Sequence, residues 1–131
     1  MNENFVNSSK APEPVGLYPH ARRVGNLLFL SGQIPLDPAT GSIVGGTIEA
    51  QTDQVMRNIG ALLRAAGCGF EHVVRTTVFM LDLNDFAAMN GVYAKYVGTP
   101  PPARATVQVS RLPRDVRIEI DAIAIIEPVP G

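Results

Sequence analysis

The chain has 131 residues, a single cysteine, eleven basic against twelve acidic residues and a formal net charge of −1. That length makes one domain able to bury about two-thirds of its unfolded surface. One cysteine excludes an internal disulfide and a multi-thiolate zinc site, and the charge balance disfavours a dedicated nucleic-acid binder.

Hydrophobic residues make up 46% of the chain and charged residues 18%. The charged share lies below the globular average of about 25%, so part of the surface is expected to be covered by a partner. Residues 1–16 lack the apolar segment of a signal peptide, and no apolar run approaches the roughly 20 residues of a membrane helix. A soluble, cytoplasmic protein is expected. It is read as one domain over residues 1–131, with 1–14 a loosely ordered N-terminal segment.

In chain order, Asn26 to Ser31 reads as a buried strand. Gln33 to Gly46 carries Pro35, Pro38, Gly41, Gly45 and Gly46, turn chemistry around a short strand pair. Ile48, Thr52, Val55, Ile59, Leu62 and Ala66 then fall on one helical face. Thr47 suits the N-cap, Glu49 the positive end of the helix dipole and Gly67 the left-handed C-cap. Val73 to Leu81 is rich in β-branched residues and predicts a central strand. Asn84 is expected to cap a second helix, with Phe86, Asn90, Tyr93 and Val97 on one face and Gly98 as terminator. Arg104 to Val109 and Val116 to Ile126 complete the strands.

Strands alternating with helices predict an α+β domain, a mixed β-sheet with two helices on one face. The uncovered face is then expected to carry Arg104, Thr106 and Gln108 on one strand and Arg117, Glu119 and Asp121 on the last. Val24, Leu28, Leu30, Ile123 and Ile125 add apolar surface to it. A symmetric oligomer with polar pockets between subunits reconciles these features.

Several chemistries lack their residues. There is no Gly-rich dinucleotide or phosphate loop. His20 and His72 lack metal-ligand spacing. Ser31 lacks the nucleophile-elbow pattern and reads as a strand-end residue. Cys68 reads as a spectator thiol. What remains is Arg104, set by the stiff Pro100, Pro101 and Pro102 approach, and Glu119, lying between Ile118 and Ile120 on what reads as a neighbouring strand. A fixed guanidinium suits bidentate capture of a carboxylate or phosphate. The residue types leave two readings open: a structural Arg104–Glu119 salt bridge, or a ligand site.

Pro102 to Val107 (PARATV), Arg111 to Val116 (RLPRDV) and Ile118-Glu119-Ile120 resemble the C-terminal signature of the RidA/YjgF family. Ser31 to Pro35 (SGQIP), Asp37-Pro38 with Thr40-Gly41, Thr76 to Phe79, and Asp82 to Phe86 with Asn90 and Tyr93 resemble its earlier blocks. The resemblance runs over residues 15–127. It implies a chorismate-mutase-like α+β fold, a homotrimer with inter-subunit clefts, and hydrolysis of small carboxylate-bearing enamines or imines, of the 2-aminoacrylate or 2-iminobutanoate type, to 2-oxo acids and ammonia. It implies no metal and no organic cofactor. Arg104 and Glu119 would be catalytic, gripping the carboxylate and orienting water. Tyr18, Ser31, Gly32, Asn90, Arg104 and Thr106 would bind substrate, Gly32 and Thr106 through backbone N–H groups.

Three positions depart from the common pattern: Thr106 where many members have cysteine, Leu17 where proline is common, and His20 where glutamine is usual. The Pro19-His20 run also resembles relatives that deaminate 2-aminomuconate. A pathway-specific deaminase of a larger enamine is therefore an alternative, with His20 against a second carboxylate. A non-catalytic ligand-binding or ribonuclease-like member is another.

Overall fold

The computed structural model describes residues 5–6, 8–11 and 20–126. Its strands are β1 (Phe5–Val6), β2 (Ala21–Val24), β3 (Leu27–Gln33), β4 (Val73–Met80), β5 (Ala103–Gln108) and β6 (Ile118–Ile125). Two helices, α1 (Ile48–Ala65) and α2 (Phe86–Tyr93), lie between β3 and β5 in the chain. The strands form one sheet in the order β1-β2-β3-β6-β4-β5, parallel between β4 and β5 and antiparallel elsewhere. The expected mixed sheet with two helices is present.

α1 forms where the spacing predicts it. The Thr47 hydroxyl accepts the Ala50 N–H at 3.1 Å, and Gly67 takes a φ of +80° just beyond the last turn. Its buried side includes Ile48, Val55, Ile59, Leu62 and Leu63, each stabilising the fold by about 1.5–3 kcal/mol relative to exposure. Two polar residues on the same helix fasten the surrounding chain. The buried Asn58 donates to the Ile34 and Leu36 carbonyls at 3.2 and 2.9 Å. Gln51 donates to the Val44 carbonyl and accepts the Arg117 N–H. The turn-rich segment between β3 and α1 narrows at a single Leu36–Ile43 bridge, where a short strand pair was expected.

The second helix differs from expectation at both ends. Asp82, not Asn84, supplies the capping oxygen: its carboxylate accepts the Asn84 N–H at 2.9 Å and opens a short 3-10 turn, Leu83–Asp85, ahead of α2. The helix ends at Tyr93, so Val97 and Gly98 lie beyond it. Three competing turn-forming residues, Asp82, Asn84 and Asp85, favour tight turns over a regular first helical turn.

Register decides which side chains share a face. Leu28 and Leu30 on β3 pair with Ala124 and Ala122 on β6, and Thr76, Val78 and Met80 on β4 pair with Ala122, Ile120 and Ile118. All of these are buried beneath the helices. Leu28 and Leu30 are therefore core residues, not part of the open face as their sequence context implied. The open face carries Val24, Ile123 and Ile125 as expected, together with Leu27, Phe29, Phe79 and Val107. Val24 is 52% exposed, Phe29 40% and Val107 41%. That much exposed apolar surface on one sheet face is what the low charge content anticipated.

Candidate functional site

Arg104 stands on β5, the last strand of the sheet, opposite Thr76 of β4. Thr76 is buried under the helices, and paired residues point the same way, so the Arg104 side chain lies on the helix side. Thr106 opposes the buried Val78 and Gln108 opposes Met80, placing all three β5 polar residues on that side. The expectation that they share the open face with Glu119 is thus corrected. Their polarity resembles that of an exposed face, but the cause is position: β5 is an edge strand at the margin of the helical layer, where polar side chains reach solvent past α2.

α2 builds a cradle for the guanidinium. Arg104 Nη1 donates to Asn90 Oδ1 at 2.6 Å. The guanidinium carbon lies 4.8 Å from the Tyr93 ring centroid and 5.4 Å from that of Phe86, within cation–π range. Phe86, Asn90 and Tyr93 follow the i, i+4, i+7 spacing, so one helical face meets one arginine. None of the ion pairs formed among the described residues involves Arg104.

Glu119 lies on β6, opposite Phe79 of β4 and between the fully buried Ile118 and Ile120. Alternation puts it on the open face, as its flanking residues implied. Beside it, β3 is irregular. From Leu30 to Gln33 is three residues, while their partners Ala122 and Ile120 are two apart, so Ser31 and Gly32 form a bulge. Gly32 then meets the Glu119 carboxylate: a β-carbon at residue 32 would collide with Oε2 and lie 2.9 Å from Cδ. Burial first, and the nearby Asp121 carboxylate second, push the Glu119 pKa above the usual carboxylate range. Gly32→Ala is expected to displace the carboxylate, the movable end of a side chain, while leaving the fold intact. A crystal structure of the variant alongside a thermal melt checks this.

The two groups are apart within one chain. β4 lies between β5 and β6, so the strands of Arg104 and Glu119 are not neighbours as the sequence reading had them. Arg104 aligns with Thr76 and Ala122, Glu119 with Phe79 and Val107. That offset of three residues and two strand spacings separates their Cα atoms by about 14 Å, and the side chains leave opposite faces. A salt bridge between them inside one chain is excluded by this geometry. Strand order was the missing information, because the last strand in sequence inserts between β3 and β4.

The remaining site residues divide along the same line. Asn90 and Thr106 fall with Arg104; Ser31 and Gly32 fall with Glu119. Tyr18 lies outside the described residues. His20 is buried, its Nδ1 accepting the Ser8 N–H at 3.0 Å and its carbonyl accepting the Ser31 N–H at 2.9 Å. It fastens the N-terminal segment to the sheet beside the bulge. Cys68 has its pKa raised by burial, which keeps it a thiol. A separate cleft of about 550 Å³, bordered by Lys10, Asp37, Arg57, Arg64, Phe70 and Tyr96 among others, holds none of these site residues. Sequence reasoning missed three features: the Ser31–Gly32 bulge, the role of the Phe86 and Tyr93 rings against Arg104, and the influence of Asp121 on Glu119. The helical spacing and the i, i+2 strand spacing were available as signals for the last two.

Comparison with known proteins places this geometry in context. The pattern of the endoribonuclease L-PSP family matches residues 8–126. A RutC family protein of Pyrococcus abyssi is 52% identical over 124 residues, 95% of this chain and 98% of that protein. The mouse 2-iminobutanoate/2-iminopropanoate deaminase is 43% identical over 123 residues, 94% of this chain and 91% of the mouse protein. The crystal structure of Escherichia coli TdcF with bound serine superposes with a TM-score of 0.89 at 37% identity, covering 95% of this chain and all of TdcF. The chain therefore belongs to the endoribonuclease L-PSP family, the RidA/YjgF group that its C-terminal residues resemble.

Proposed function

We propose that the protein hydrolyses small 2-imino acids and their enamine tautomers to 2-oxo acids and ammonia, in clefts between the subunits of a homotrimer with the chorismate-mutase-like arrangement. The observation that carries this reading is the Arg104 guanidinium, held by Asn90, Phe86 and Tyr93 and paired with no carboxylate among the described residues. A positioned guanidinium with free N–H groups is a bidentate receptor for a carboxylate. The relatives named as deaminases of 2-imino acids and the serine-bound neighbour support a ligand of that size.

The same geometry supports the proposed assembly. Since Arg104 and Glu119 leave opposite faces of one sheet, a substrate gripped by Arg104 meets the Glu119 of another copy. Packing of the open faces would bury Val24, Phe29 and Val107 and bring the β5 edge of one subunit beside the Ser31–Gly32 bulge of the next.

In the cleft, Arg104 fixes the substrate carboxylate, and the adjacent C=N carbon is the electrophile. Glu119 orients a water for attack on that carbon and accepts its proton as the C–O bond forms and the C=N π pair moves to nitrogen. The nitrogen takes up a proton. The resulting carbinolamine re-forms C=O and expels ammonia, with protons passed through the same carboxylate. Backbone N–H groups at Gly32 and Thr106 supply further donors to substrate oxygens. The chemistry runs on side chains and water.

The test generates 2-iminobutanoate with a threonine dehydratase in the presence of semicarbazide, which traps free imine. The protein is expected to divert imine to 2-oxobutanoate in proportion to its concentration. An unchanged yield of semicarbazone would sink the reading. Added RNA is expected to be neither cleaved nor bound in a salt-dependent way.

A further inference from the structure

We infer that Tyr93, anchored by Thr76, is a positioning residue that sets the orientation of the Arg104 guanidinium, and thereby the affinity of the site for a carboxylate. This rests on the carboxylate-gripping role of Arg104 proposed above.

The observation is a closed circuit of three elements. Thr76 on β4 is the register partner of Arg104 on β5. The Thr76 hydroxyl and the Tyr93 hydroxyl are 2.8 Å apart in a buried hydrogen bond. The Tyr93 ring, in turn, stands 4.8 Å from the Arg104 guanidinium carbon. The strand residue level with Arg104 therefore holds the ring that holds Arg104.

The circuit has a physical purpose that packing alone does not require. Arginine has a long side chain with several rotatable bonds, and fixing it before a ligand arrives removes an entropic cost from binding. Asn90 constrains one edge of the guanidinium by a single hydrogen bond, which leaves rotation about that bond free. A ring against the planar group restricts that rotation. Phe86 also faces the guanidinium, but it is 38% exposed and lies farther away, at 5.4 Å. Tyr93 is 5% exposed, and its hydroxyl is tied to a strand, so it is the rigid side of the cradle. A leucine at residue 93 would fill much of the same core volume but offer no flat face and no hydroxyl.

The experiment measures two quantities for each variant: the KM for 2-iminobutanoate, and the Kd for 2-oxobutanoate from NMR titration, which needs no turnover. Tyr93→Leu is expected to raise both about tenfold, with kcat changed less than threefold. Tyr93→Phe keeps the ring and should restore most of the affinity, leaving a deficit of about two- to threefold from the lost Thr76 bond. The same two substitutions are then made with Arg104→Lys, whose ammonium has no plane to orient. There, Tyr93→Leu is expected to weaken binding less than twofold.

An equal loss in both backgrounds overturns the inference, because a ring serving only the core would act regardless of the cation. So does unchanged Kd and KM in Tyr93→Leu with a lowered melting temperature. Absence of turnover by the unmodified protein, with the Kd ordering intact, overturns the catalytic reading and leaves the positioning role standing.

Discussion

Replacing Arg104 with alanine is expected to lower kcat/KM for 2-iminobutanoate at least about a hundredfold, with the fold and the oligomeric mass unchanged. Truncating a charged, hydrogen-bonded partner of an anionic ligand costs several kcal/mol, and a bidentate contact loses two bonds at once. Within the chain the side chain contributes far less. It is half-buried on an edge strand, and its polar partner Asn90 is on the neighbouring helix. Removing it exposes Asn90 and two ring faces to water without leaving a buried charge. Steady-state kinetics, size-exclusion mass and a thermal melt on one preparation separate the outcomes. Intact activity would remove Arg104 from the site. Dissociation of the assembly would instead make the arginine an interface residue first.

Glu119→Gln is expected to divide activity and stability in opposite directions. Turnover should fall by roughly 10²- to 10⁴-fold, the usual contribution of a positioned general acid or base. Stability at neutral pH should rise. The sign follows from the raised folded-state pKa of Glu119, caused by burial and then by Asp121. A carboxylate whose pKa is higher folded than unfolded contributes stability that is fully present below its ordinary value near 4.5 and is lost as pH rises through the folded pKa. At pH 7, above the ordinary value, Glu119 therefore burdens the fold, and the neutral amide relieves it. A melting temperature that drops in Glu119→Gln at pH 7 would contradict this.

The same shift predicts the pH profile. In the proposed reaction Glu119 acts in its base form, so the acidic limb of kcat/KM is expected above 4.5, the ordinary value for glutamate. Asp121→Asn removes a neighbouring negative charge and should move that limb toward lower pH. An immobile limb in this variant would assign the titration to another group.

Much of the secondary structure was legible because local rules sufficed. α1 combines an N-cap hydroxyl, a strict apolar face and a C-terminal glycine, and each acts over one turn of chain. The strands β4 and β6 declare themselves through β-branched residues and alternation. α2 was less legible at its ends, because Asp82, Asn84 and Asp85 compete for the same capping role and Gly98 lies several residues beyond the last helical turn.

The site was legible as a set of residue types and illegible as an arrangement. The stiff prolines before Arg104 and the apolar neighbours of Glu119 marked both residues as special. Their relation depended on strand order, which nothing local encodes: β6 pairs with β3 and β4, whereas β5 takes the outer edge. The face of Arg104 depended on its register with Thr76, and the nearness of Gly32 to Glu119 depended on one extra residue in the bulge. The low charge content set by composition found its counterpart in an exposed apolar sheet face. By itself the sequence determined which segments become helix or strand, the family signature and the residue types able to bind a carboxylate, since each is written in contiguous or periodic positions. Only the tertiary structure decided that Arg104 and Glu119 occupy opposite faces, because face and neighbour are set by pairings between segments far apart in the chain.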